Sequence, residues 1–107
     1  MRLKDKVAVV TGSGRGIGEG IVLRFAAEGA KIVVNDVNET DAKNVVEKVR
    51  AQKGQAISVI GSVASRAVVQ QAIDTAVKEF GTLDIMVNNA GITRDSILHK
   101  MTDEQWN

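Results

Sequence analysis

Residues 9–18 read VVTGSGRGIG, with four glycines in the seven positions that follow Thr11. Glycine loses more conformational freedom on ordering than any other residue, so this cluster marks a place that needs bare backbone. The run leading into it, Val7 to Val10, is too short for a helix and is apolar throughout rather than alternating. A strand buried on both faces reads this way, which points to a parallel sheet covered by helices.

Three more short, nearly continuous apolar runs lie further along the chain: Ile32 to Val34, Ala56 to Ile60 and Leu83 to Val87. Counted from Val7, successive runs start 25, 24 and 27 residues apart. Helical spacing fills the gaps. Ile17, Ile21, Val22, Phe25 and Ala26 share one face of a first helix, stopped by Gly29. Ala42, Val45, Val46 and Val49 form the stripe of a second, with Gly54 beyond its end. Ser65 caps a third, in which Val69, Ile73, Ala76, Val77 and Phe80 precede Gly81. Apolar residues at three- and four-residue steps, closed by glycine, are the expected helix signature. The order β-α-β-α-β-α-β predicts an α/β fold with right-handed crossovers and a doubly wound parallel sheet.

The chain has 107 residues, enough for one domain. It is 44% apolar and 25% charged, an ordinary balance for a soluble globular protein. A net charge of +1, with both signs interspersed, argues against nucleic acid as a partner. There is no cysteine, which excludes disulfides and thiolate metal sites, and no metal is expected. No apolar stretch suits a secretory leader or a bilayer span, so no membrane partner is expected and a cytoplasmic location fits. Proline and tyrosine are also absent.

In an open α/β sheet, ligands bind outside the carboxyl ends of the strands, where strand order reverses. The turn from Thr11 to Gly18 lies at the end of the first strand and opens the first helix. Backbone N–H groups there lack intrahelical partners, and the helix dipole favours an anion. Glycines let a pyrophosphate approach the main chain; the plain alternative is a flexible turn. The fingerprint G-x-G-x-x-G fits no register, and no Gly-Lys-Ser/Thr follows, which excludes a P-loop. Thr11, Gly12, Gly16 and Gly18 read instead as T-G-x-x-x-G-x-G.

With TGSGRGIG at 11–18 and NNAG at 88–91, the whole chain resembles the short-chain dehydrogenase/reductase family. NNAGITRDSILHKM and the following TDEQW are most similar to 3-oxoacyl-[acyl-carrier-protein] reductases of fatty acid biosynthesis. The resemblance implies a Rossmann-type sheet of order 3-2-1-4, truncated after the fourth strand. It places Gly12, Gly16 and Gly18 in the coenzyme crevice, with Ser13, Gly14 and Arg15 near the adenosine ribose. Ile17 would contribute backbone near the pyrophosphate and nicotinamide half. Asn89, Ala90 and Gly91 would close over the adenosine side, and Asn88 would tie neighbouring strands. By itself, NNAG also reads as a polar strand end and a turn.

Asp36 follows the second strand, 18 residues after Gly18. A carboxylate there accepts hydrogen bonds from both ribose hydroxyls of NAD and repels the 2′-phosphate of NADP. Arg15 could instead pair with that phosphate, or be a solvated loop charge; Asp36, among Asn35 and Asn38, could be a turn residue. The acid carries more weight, because close repulsion is harder to accommodate than a swung-out Arg, so NAD is favoured over NADP. After the third strand the family often has an acid that reaches adenine. Here the stretch is IGSVAS, and adenine contact falls to Ser62 and Val63.

The family's hydride transfer between nicotinamide and a carbonyl or hydroxyl carbon needs a Tyr, a Lys four residues later and a Ser. This chain has no tyrosine, so no catalytic residue is assigned, and His99 reads as an exposed or helix-flanking side chain. Thr102 starts a helix that the sequence does not complete. Residues 1–107 therefore read as the N-terminal coenzyme-binding part of a single Rossmann-type domain whose catalytic part is absent. The parent would be an NAD(P)-dependent oxidoreductase, a homotetramer acting on an acyl thioester or other small carbonyl substrate. A non-catalytic dinucleotide-binding module, or a domain that uses no coenzyme, are the alternatives. The chain is expected to bind NAD(H) weakly or not at all, and to self-associate through the apolar edge LDIMVNN.

Overall fold

The computed structural model describes residues 2–89. The expectations placed on Ala90, Gly91, His99 and Thr102 lie outside the described residues. Seven elements alternate: β1 (Val7–Val10), α1 (Gly16–Ala27), β2 (Lys31–Asp36), α2 (Glu39–Ala51), β3 (Gln55–Ile60), α3 (Arg66–Phe80) and β4 (Ile85–Val87). The strands form one parallel sheet in the order β3-β2-β1-β4, a Rossmann-like arrangement. The chain moves outward from β1 to β3 and then crosses back to β4, so strand order reverses at β1. The crevice beyond the carboxyl ends of β1 and β4 is the place this topology offers a ligand.

Both faces of the sheet are covered, which is why the strands read as short, nearly continuous apolar runs. Ala8, Val10, Ile32, Val34, Ala56, Ile85 and Val87 pack with Val22 of α1 and Ala42, Val45 and Val49 of α2. Val7, Val9, Val33 and Val59 pack on the other face with Ala72 and Ala76 of α3. Each fully buried valine contributes roughly 1.5–3 kcal/mol relative to leaving it exposed.

The strand and helix limits differ from the sequence reading in instructive ways. β2 runs on through Asn35 to Asp36, which pairs with Ile60 of β3, so Asp36 ends the strand rather than following it. β4 starts only at Ile85. Asp84 before it bonds Val7 twice, its N–H donating to Val7 O at 2.9 Å and its Oδ2 accepting from Val7 N–H at 2.9 Å.

Ile17 and Val77, both expected in buried stripes, are 65% and 50% exposed. The first turn of α1 lies over the strand ends, where Gly18, not Ile17, meets the preceding loop. In α3 the stripe centres on Ala72 and Ala76, and Val77 falls one helical step, about 100°, to the side.

One of two helix ends corrects the reading of the glycines. Gly29 closes α1 at φ +96°, with Ala30 N–H donating to Phe25 O at 3.0 Å. α2 ends the same way, Gly54 N–H donating to Val49 O at 2.9 Å, but the left-handed residue is Lys53 at φ +67°. Gly54 is there for space: a Cβ would meet Val49 Cγ1 at 2.8 Å.

Candidate functional site

The glycine turn is held from two sides. On the β4 side, Thr11 N–H donates to Val87 O at 3.0 Å, and Thr11 Oγ1 accepts from Asn89 N–H at 2.9 Å. Asn89 Nδ2 also donates to Gly12 O at 3.1 Å, so Asn89 makes the tie that the sequence reading gave to Asn88. On the β2 side, Ser13 N–H donates to Asn35 O at 2.7 Å. Ser13 is fully buried; its Oγ donates to Val10 O at 2.7 Å and accepts from Asn35 N–H at 3.1 Å. The Ser13 side chain thus works inside the protein, and only its backbone faces the turn.

The glycines serve different ends. Gly12 and Gly16 take left-handed conformations, at φ +59° and +63°, which lets the turn bend into α1. Gly18 is required by contact, since a Cβ there would lie 2.3 Å from Gly12 O and 2.7 Å from Ser13 Cα. Gly14, outside the T-G-x-x-x-G-x-G pattern, is pinched between acids. A Cβ on it would lie 2.8 Å from both Asp36 Oδ2 and Asp41 Cβ.

The start of α1 is open. Its N-cap, Arg15, has extended backbone and makes no side-chain cap. The first helical bond runs from Glu19 N–H to Arg15 O at 3.3 Å, so the N–H groups of Gly16, Ile17 and Gly18 have no intrahelical acceptor. By contrast, Asn38 caps α2 through Asp41 N–H at 2.9 Å, and Ser65 caps α3 through Val68 N–H at 3.4 Å. Three N–H groups at the positive end of a helix, beside glycines that admit close approach, suit a phosphate oxygen.

Asp36 lies beside this opening. Its Oδ2 accepts from Gly14 N–H at 2.9 Å and its Oδ1 from Asn38 N–H at 3.0 Å. Two backbone donors fix the carboxylate while each oxygen keeps a lone pair for a hydroxyl. Arg15, next to Gly14, is exposed. Ser62 and Val63 stand one strand further out, in a turn tied to β2 by Gly61 N–H donating to Asp36 O at 3.0 Å. Ser62 is exposed and its Oγ accepts from Ala64 N–H at 3.1 Å; Val63 is half-buried. Ile17 projects outward at the mouth of the turn.

Sequence reasoning missed Asn35, whose buried carboxamide joins β3 to the glycine turn. The signal was an asparagine extending a valine run. Among the described residues, no group of three or more His, Asp and Glu side chains could hold a metal ion, and no helix is long and apolar enough to cross a membrane.

The model of the short chain dehydrogenase family matches residues 6–107. The 3-oxoacyl-[acyl-carrier-protein] reductase FabG of Thermotoga maritima is 35% identical over 106 residues, spanning 99% of this chain and 43% of that protein. The short-chain reductase protein NovJ of Streptomyces niveus is 44% identical over 103 residues, spanning 96% of this chain and 39% of that protein. A Burkholderia cenocepacia short chain dehydrogenase, solved in complex with NADP, is 41% identical with a TM-score of 0.81, over 88% of this chain and 39% of that one. The chain therefore spans less than half the length of these relatives. With the family model covering nearly all of it and the 3-2-1-4 sheet carrying an open, glycine-lined helix start, the chain belongs to the short-chain dehydrogenase family.

Proposed function

We propose that this chain is the coenzyme-binding part of an NAD(P)-dependent short-chain oxidoreductase that prefers NAD. One observation carries the reading: the uncapped start of α1 opens beside a carboxylate, Asp36, that two backbone N–H groups hold in place. The helix start would take the pyrophosphate, against Gly12, Gly16, Ile17 and Gly18. Asp36 would accept from the adenosine ribose hydroxyls, with Gly14 and Arg15 alongside, Ser62 and Val63 toward adenine, and Asn89, Ala90 and Gly91 over the adenosine side. The bound nicotinamide would accept or donate hydride at a carbonyl or hydroxyl carbon.

Family membership does not select between coenzymes, since the Burkholderia protein is in complex with NADP. Asp36 supports NAD. A 2′-phosphate in place of the hydroxyl would put like charges about 4 Å apart, at a cost near 1 kcal/mol in water and about 4 kcal/mol at a protein surface. FabG supports a 3-oxoacyl thioester as the parent's substrate. A binding module without catalysis is the second reading, favoured by the absence of tyrosine from the 107 residues.

The test is a titration of the ¹⁵N-labelled chain, followed by amide shifts, with NAD⁺ and NADP⁺. Weak binding is expected, with shifts concentrated at residues 12–18 and 36 and NAD⁺ favoured by about tenfold. Asp36→Ala should remove the preference. Equal affinities, or shifts confined to other surfaces, refute the reading. The chain should not reduce an acetoacetyl thioester with NADH; measurable turnover would show that it carries catalytic groups of its own.

A further inference from the structure

β2 is valine-rich until Asn35, which is 2% exposed and flanked by the fully buried Val34. A third valine would satisfy the core equally well there, so the carboxamide needs a reason. Its polar atoms supply one. Nδ2 donates to Val59 O at 3.0 Å and to Gly61 O at 3.2 Å, using both of its protons on the end of β3. Oδ1 accepts from Gly12 N–H at 3.4 Å, on the other side of β2. The Asn35 backbone is meanwhile engaged with Ser13. One side chain therefore spans β2 and joins the glycine turn after β1 to the turn after β3.

We infer that Asn35 is a positioning residue that sets the spacing between the two turns lining the coenzyme crevice. It would touch no ligand itself. Gly12 opens the turn assigned to the pyrophosphate, and Gly61 precedes Ser62 and Val63 on the adenine side. A dinucleotide must contact both turns at once, and a rigid strut between them lowers the ordering needed on binding. Adenosine alone lacks the pyrophosphate assigned to Gly12 and the helix start, so it is less sensitive to the strut. This inference rests on the dinucleotide reading above.

The experiment compares the full chain with Asn35→Val, using the same ¹⁵N spectra for ligand titration and amide hydrogen exchange. The dinucleotide affinity should fall about tenfold while adenosine affinity changes less than about twofold, the loss of one anchored hydrogen-bonded link being worth about a factor of ten. Gly12 N–H exchange should rise about tenfold relative to Val9 N–H within the sheet. A purely structural role would shift both ligands, and both amides, by the same factor, and that result overturns the inference. No change in either ratio overturns it as well. If the unsubstituted chain shows no shifts with NAD⁺, the coenzyme reading fails separately, and the Gly12-to-Val9 exchange ratio still decides whether Asn35 holds the turn. Should Asn35→Val fail to fold, Asn35→Thr takes its place. Its hydroxyl can still donate toward β3 but cannot span to Gly12, and the same two ratios apply.

Discussion

Gly18 and Gly20 lie two residues apart in α1, and replacing each by alanine should move stability in opposite directions. A Cβ at Gly20 meets nothing within 4 Å, so Gly20→Ala gains the helix preference of alanine, about 0.5–1 kcal/mol. At Gly18 the methyl would sit 2.3 Å from Gly12 O, against ordinary contact at 3.4–4 Å, a shortfall of roughly 1 Å. Two of its neighbours are backbone atoms of the turn and cannot rotate away. The third, Asn89 Nδ2 at 2.8 Å, is the donor of the bond to Gly12 O. Overpacking of this kind costs about 1–3 kcal/mol, and losing the Asn89 bond about 1 kcal/mol more. After the alanine gain, Gly18→Ala should be destabilised by about 1–3 kcal/mol. Urea unfolding followed by circular dichroism reads both variants. They should differ by about 2–4 kcal/mol, which at this chain length corresponds to a gap of roughly 10–20 °C in Tm. If Gly18→Ala proves as stable as Gly20→Ala, the helix start does not press on the turn as described, and the steric argument fails.

The remaining predictions concern helix ends. Lys53→Gly should stabilise the chain by up to about 1 kcal/mol in the same assay, because Lys53 holds φ +67° without a conformational reason of its own; unchanged stability would argue against that strain. Arg15→Ser places a capping hydroxyl at the extended N-cap of α1, which should raise stability by about 0.5–1 kcal/mol. The same hydroxyl competes for the N–H groups offered to a phosphate, so dinucleotide affinity should fall in parallel. A rise in both stability and affinity would refute the assignment of the open helix start.

How much of this was legible from the sequence depended on the range of the interactions concerned. The four strands were readable because burial on both faces removes every polar residue from Val7–Val10 and leaves short, nearly continuous apolar runs in the others. Hydrophobicity could not place the end of β2, because Asn35 and Asp36 are polar yet remain in the ladder opposite Val59 and Ile60. Periodicity found helices α1 and α3, but not where the sheet beneath α1 stops, which misplaced Ile17, nor that the α3 stripe centres on Ala72 and Ala76, which misplaced Val77. Gly12, Gly16 and Gly18 were legible as a pattern. Gly14 was not, because its reason is the approach of Asp36 and Asp41 from more than twenty residues away along the chain.

These long-range contacts explain how the turn stays ordered while its helix start stays open. A helix capped by its own side chain holds its entry loop locally, as Asn38 does for α2. α1 gives up that device, leaving N–H groups for a ligand, so the loop must be held from elsewhere. Asn89 holds it from the end of β4, Asn35 holds Gly12 and Ser13 from within β2, and Asp36 holds it through Gly14 N–H. The ties approach from the flanks and engage residues 11–14, leaving the helix N–H groups from Gly16 to Gly18 clear. Order in the turn and openness at the helix start are therefore set by different residues. Arg15→Ser should act on the second alone, whereas Asn35→Val should act on the first. The two effects on dinucleotide affinity should combine nearly additively, unless the new hydroxyl of Arg15→Ser couples to Gly12 through the turn.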